Sequence, residues 1–389
     1  MKIAYVTTYD VLNKQTWPRY QLGLGSANYY IAKSLEQQSV AIEYIGPLQK
    51  NFSLLTRTKW SFYRYFFKKD YYRWAEPLVL KDYGKQIAKK LANSNADIVL
   101  CPENAAPIAY LQCQQPMVLW IDTTLAAMID FYPYLSNLCA ETKRNIYALE
   151  KSAFEKCKLL IFSSEWAAKT AINIYGINPD KVKVVPWGGN IECDRTITDI
   201  QHIVESRAKN PCKLPFIGTQ WQRKGGNIAL AVAKELNQMG LPTELTVVGC
   251  ESSVIDEPLP SFVKFLGFID KFTQEGEQII NQLFTESHFL ILPTQAETYG
   301  HVFCEANSFA VPCLATNVGG IPTIIKDGVN GKIFTLDASP LYYSKYIASL
   351  MNHYSSYKQI AMSSFKEYES QLNWAINTQI VQHLLDGLI

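Results

Sequence analysis

The stretch "HFLILPTQAETYGHVFCEANSFAVPCLATN", residues 288–317, sets a short apolar run, a polar loop, a thin helical pattern and a second apolar run in series. "HFLILPT" is too short for an ordinary helix and reads as a buried strand, as does "VPCLATN". About 302–310 between them reads as a helix. Continuous apolar strands separated by helices imply a parallel sheet covered on both faces. Loop 295–300 then falls at the C-terminal end of a strand, where open α/β sheets bind ligands.

The same alternation runs outward in both directions. Upstream, "LPFIGT", "ELTVVGC" and "VKFLGFI" read as strands, with helices near 224–239 and 273–286. Downstream, "GKIFTL" follows. An earlier series ("KIAYVTT", "VAIEYIGP", "ADIVLCP", "PMVLWID", "KLLIFSS", "VKVVPWGGN") occupies 1–190. The segment 191–210 is polar and poorly periodic and reads as a linker. The expected architecture is α/β: two doubly wound Rossmann-like domains, 1–190 and 211–372, facing a cleft. A last helix in 373–389 is expected to return to the N-terminal domain.

Composition sets the outer limits. At 389 residues with 48% apolar and 19% charged residues, the chain is globular and suits two domains. A net charge of +2 speaks against a general nucleic-acid binder. Nine dispersed cysteines without a CxxC read as buried thiols of a reducing compartment, not as a zinc site. The start "MKIAYVTTYD" reads as a first strand, and no run approaches a spanning helix. A cytoplasmic protein follows, with room for contact at the inner membrane face.

In the loop after "HFLIL", Gly300 lets backbone approach a ligand, and the helix beginning at His301 offers N–H groups to a phosphate. Glu305 lies one turn further in and leans back toward hydroxyls such as those of a ribose. Glu297, at the strand end, faces what the far phosphate carries. A solvated turn with a first-turn carboxylate explains the glutamates alone equally well. "GTQWQRKGG" (218–226) weighs against that: Arg223 and Lys224 stand at a helix start, a costly place for cations unless an anion arrives. Gly225 and Gly226 free backbone there, and Gly319 and Gly320 of "NVGGIP" lie on the same edge.

These motifs resemble the donor-binding domain of retaining family-4 (group 1) glycosyltransferases of the GT-B fold, specifically over 211–335 and more loosely over 1–190. By position the resemblance implies that Lys224 holds the donor phosphates, Glu305 the nucleotide ribose and Glu297 the transferred sugar. Gly218, Thr219, Arg223, Gly225, Thr298, Tyr299, Gly300, His301 and Val302 complete the donor set. Thr219 stands where the family commonly has an arginine, and Arg223 is its substitute. Many members also have a histidine after a mid-domain strand. All five histidines here lie beyond residue 200, and Asp122 is the candidate for that place, with a helix N-cap as its other reading. With no D-x-D triplet, no metal or resident cofactor is expected. A UDP- or GDP-linked sugar is the substrate.

Two N-terminal segments remain. Gly23 and Gly25 sit in "WPRYQLGLGSANYY", read as an acceptor-side loop over the cleft or as a flexible loop before a helix. "RTKWSFYRYFFKKDYYRW" (57–74) carries nine aromatics and six cations against one acid. It suits an anionic membrane or lipid-linked acceptor, or a helix docked by its aromatics with its cations solvated; single-stranded nucleic acid is the weakest fit. The leading function is transfer of a sugar to a saccharide or lipid-linked saccharide, with a sugar-nucleotide 2-epimerase or a non-catalytic binder as alternatives.

Overall fold

The computed structural model describes residues 1–17, 22–255 and 258–389. The chain divides into two compact units, Met1–Trp187 with Trp374–Ile389, and Gly188–Asn373.

The first unit is built on β1 (Lys2–Tyr5), β2 (Ala41–Tyr44), β3 (Ile98–Cys101), β4 (Met117–Ile121), β5 (Leu159–Phe162) and β6 (Val182–Val184). Their order in the sheet is β2-β1-β3-β4-β5-β6 and every pairing is parallel. Strands β3, β4 and β5 are buried along their whole length, which is why they appear as unbroken apolar runs rather than alternating ones. Helix Trp374–Asp386 lies on helix Leu22–Gln37: Ser34 Oγ and Thr378 Oγ1 are 2.7 Å apart, and Gln38 Nε2 donates to Ala375 O at 2.8 Å. Trp374 packs its ring against Trp120 and Trp187.

Ionisable groups are built into this core, Glu150 among them. Glu150 is fully buried and accepts hydrogen bonds from Leu125 N, Ala126 N and the Tyr175 hydroxyl. Burial pushes its carboxyl up to about 7 despite those donors. Folded-state pKa is thus above the ordinary value of 4.5. The folded chain takes up this proton first on acidification, so the contribution to stability is complete below about 4.5 and is lost as pH rises through about 7. Between pH 8 and 5 the wild type should gain stability relative to Glu150→Gln, by at most roughly 3 kcal/mol. Urea titrations of both proteins at the two pH values check this; parallel curves would remove Glu150 as the titrating group.

The second unit holds β7 (Cys212–Ile217), β8 (Thr243–Val248), β9 (Val263–Phe265), β10 (Leu290–Leu292), β11 (Cys313–Thr316) and β12 (Gly331–Phe334), in two parallel ladders β7-β8-β9 and β10-β11-β12. The ladders join at β7 and β10. There His288 N donates to Lys213 O at 2.9 Å, and Lys213 N donates to His288 Nδ1 at 3.0 Å. An imidazole nitrogen thus replaces one backbone acceptor. It can do so because burial, ahead of the Arg207 charge, lowers the ring to about 3 and keeps it neutral. The order across the unit is β9-β8-β7-β10-β11-β12, with the winding direction reversing between β7 and β10. Crevices at such reversals are where doubly wound sheets bind ligands.

The segment expected as a linker, 191–210, is not one. It contains helix Ile197–Ser206, opened by a capping box between Thr196 and Asp199. Arg207 follows it into the interior, donating to carbonyls of Phe284, Thr285, Phe309 and Ala310 and to the Tyr357 hydroxyl. A polar sequence hid a buried anchor.

Candidate active site

Two loops meet at the reversal of the second unit. The first leaves β7 at Gly218, whose missing Cβ leaves room for the Lys224 stem: an added one would stand 3.0 Å from Lys224 Cγ. The chain then turns through Trp221, buried against Phe216 and Phe265, into helix Gly226–Gln238. Gly225 precedes that helix at φ +79°, with Pro293 O only 2.0 Å from where a side chain would begin. No other residue fits there, and the fit presses the first loop onto the end of β10. Arg223 O accepts from Gln295 N at 2.7 Å and Thr294 Oγ1 at 3.1 Å, and the Arg223 guanidinium donates back to Ala296 O. The third loop is tied in by Gly320 N donating to Glu297 O at 3.2 Å.

This clamp brings Lys224 and Glu297 into a direct ion pair, with Arg223 Nη1 3.8 Å from the same carboxylate. All three side chains are largely buried. Burial alone would raise Glu297, but Lys224 and then Arg223 outweigh it and hold the carboxyl below its ordinary value. For Lys224 burial is the larger influence and lowers the ammonium, with Glu297 opposing.

Glu305 is the second charged centre. Its carboxylate accepts from Asn190 N at 3.2 Å and pairs with Lys271, on the loop after β9. Lys271 was absent from the residues expected by sequence, because no motif marks that loop and its partner lies 34 positions away. His301 sets Nδ1 2.9 Å from Gly188 O. Burial lowers its ring to about 4, so the neutral imidazole carries its proton on Nδ1 and donates it to that carbonyl. The ring orients the chain at 188–190.

The remaining expected residues divide. Thr298 is buried and Val302 partly so, while Thr219 is exposed. The Tyr299 side chain is turned into the interior, its hydroxyl 3.7 Å from Cys304 Sγ. Gly300, at φ +102°, opens helix His301–Asn307. At seven residues that helix is shorter than the 302–310 pattern suggested.

Two expectations for the first unit are corrected. Gly23 and Gly25 are not in a loop but in the first turn of helix Leu22–Gln37, where Gly25 packs against Trp17 with no room for a Cβ. Residues 18–21 of that segment lie outside the described residues. Asp122, just beyond β4, is not the N-cap of the following helix. Thr124 is, accepting from Ala127 N at 3.1 Å. The reversal of this sheet, between β1 and β3, holds a buried carboxylate missed by sequence: Glu103 accepts from Thr8 N and Thr8 Oγ1 at 2.6 and 2.7 Å.

Two parallel-sheet units, the second carrying a lysine loop against a carboxylate loop at its reversal, define a chain of the GT-B type. Residues 198–366 match the family model of glycosyl transferases group 1, so the second unit is a domain of that family. The D-inositol 3-phosphate glycosyltransferase of Paenarthrobacter aurescens is 24% identical over 178 residues, 44% of either chain. The chain spans about half the length of the curated relatives it matches. Among solved structures, Anabaena HepE in complex with UDP-glucose superposes with a TM-score of 0.62 at 17% identity, each chain covered completely. The lipopolysaccharide outer core galactosyltransferase WaaB gives 0.64 at 14%, again over both whole chains. At these identities the structures establish a common fold.

Proposed function

We propose that the chain is a cytoplasmic glycosyltransferase, moving a sugar from a nucleoside diphosphate to a saccharide or lipid-linked saccharide in the synthesis of cell-surface polysaccharide or glycoconjugate. The observation that carries this reading is the Lys224–Glu297 pair at the winding reversal, with Arg223 beside it. A diphosphate entering there takes over the lysine and arginine, which stabilise the charge that grows as the anomeric C–O bond breaks. Glu297, released from Lys224, orients the sugar, and Glu305 with Lys271 receives the ribose hydroxyls. The acceptor oxygen forms the new bond on the face the diphosphate leaves, its proton passing to the departing phosphate oxygen, so configuration is retained without a resident metal or cofactor. The UDP-glucose complex of HepE favours a uridine over a guanosine donor.

A thermal-shift panel of nucleoside diphosphates and their sugars tests the reading, since a ligand at 100 times its Kd adds about 2.7 kcal/mol to the folded state. A rise in Tm with one nucleotide series is expected. No rise with any of them would sink the proposal, and isomerisation of a bound sugar nucleotide without acceptor would replace transfer by epimerisation.

A further inference from the structure

Helix Ser53–Phe67 of the first unit is mounted inside out. The side chains it turns toward the protein are the polar ones. Thr56 is buried and accepts from Arg73 Nε. Lys59 bridges Glu76 and Glu141 at 2.9 and 2.7 Å. Tyr63 donates to Glu141 at 2.8 Å and stacks on Tyr71. Positions 56, 59 and 63 are three and four apart and so form one stripe. The apolar side chains face away: Leu54 is 79% exposed, Tyr65 74%, Phe66 68% and Phe67 57%. Leu55, Phe62 and Phe66, seven and four apart, form a second stripe about 70° round the helix from the anchoring one, with Phe62 and Phe66 in ring contact at 5.3 Å, and Leu54 and Tyr65 continue it onto the face opposite the anchor. The helix is thus docked on its unit, as one reading of the sequence had it, but through Thr56, Lys59 and Tyr63 while most of its other aromatics stay exposed.

Cations border this face. Arg57 and Arg64 border it on the side of Leu54 and Tyr65, and Lys68 and Lys69 follow at the helix end, all exposed. Arg64 lies over the Trp60 ring at 5.3 Å and Lys68 over Tyr65 at 5.5 Å, so each charge is held beside an aromatic plane. Trp60, Arg64, Tyr65, Lys68 and Lys69 also line a depression of about 530 Å³ that ends at Asn137. An exposed apolar stripe of this extent is uncommon on a soluble surface. Among the described residues no helix is long and apolar enough to cross a membrane. Stripe, aromatic rings and flanking cations together have the chemistry of a bilayer boundary: acyl chains for Phe62 and Phe66, phosphates for the arginines and lysines.

We infer that this face docks the protein on the surface of an anionic phospholipid bilayer, helix Ser53–Phe67 lying in the plane of the headgroups. The inference rests on the first unit alone and stands whether or not the donor reading of the second is correct. Its test is flotation of the full-length protein with vesicles of phosphatidylcholine, with and without 30% phosphatidylglycerol (roughly the anionic share that gives a strong surface potential). Recovery with the anionic vesicles only is expected. Phe62→Ser with Phe66→Ser should lower partitioning at least tenfold, and each of Arg57→Gln, Arg64→Gln and Lys68→Gln by about fivefold. None of these residues belongs to the helix's buried stripe, so unchanged circular dichroism and Tm should accompany the loss. The inference is overturned if wild type fails to float with anionic vesicles, if the variants float equally well, or if sedimentation shows the stripe buried in a dimer that persists with lipid.

Discussion

Lys224→Ala should lower affinity for a nucleoside diphosphate by about a hundredfold, the range expected when a buried charge-assisted partner of a phosphate is lost. Calorimetric titration with the free nucleotide measures it. The counterpart is Glu297→Gln. In the free protein Glu297 occupies Lys224, so every incoming phosphate must displace a carboxylate. Neutralising that competitor should leave nucleotide affinity equal or higher while lowering kcat about a hundredfold or more, if Glu297 acts on the transferred sugar. The opposite signs on binding separate this arrangement from one in which both residues simply hold the loops together. Equal weakening by the two substitutions would contradict it.

Arg207→Ala is expected to cost about 4 kcal/mol of unfolding free energy, followed by urea denaturation. Arg207 as a whole is 6% exposed, and the hydrogen bonds of its guanidinium go to main-chain carbonyls and the Tyr357 hydroxyl. Phe284 and Thr285 lie in the last turn of helix Gln274–Glu286, and Phe309 and Ala310 follow helix His301–Asn307. One fork thus ties the end of one helix to the turn that follows another, close to the negative end of both dipoles. Lysine offers a point charge in place of the fork, so Arg207→Lys should still fall about 2 kcal/mol short of wild type. A loss below 1 kcal/mol for Arg207→Ala would show those carbonyls to be satisfied by other means.

The strands were legible because parallel sheets buried on both faces leave unbroken apolar runs, and the loops at their ends located Lys224, Glu297 and Glu305 without a long-range contact being known. What was illegible depended on such contacts. Lys271 has no local signature and acquires its place only by meeting Glu305. Arg207 made its segment look solvated, because the main-chain carbonyls that satisfy a buried guanidinium leave no mark in the sequence. Gly23 and Gly25 suggested a loop, but at Gly25 the missing side chain admits the Trp17 ring. In helix Ser53–Phe67 the interleaved aromatics and cations did not tell which side chains point inward. Glu76 and Glu141, distant in sequence, decide that by capturing Lys59.

The second unit begins at Gly188 and ends at Asn373, and these two ends are laced together: Gly189 N donates to Leu372 O at 3.3 Å. In covalent terms it is a cassette inserted into the first unit, whose last helix is laid down only when the chain comes back at Trp374. Such an insert leaves and returns at one point, so a homologous one could be spliced in at the same junction without cutting either sheet. Donor preference would then be exchangeable as a block, while the helix Trp374–Asp386 that seals the first unit stays with its own partner.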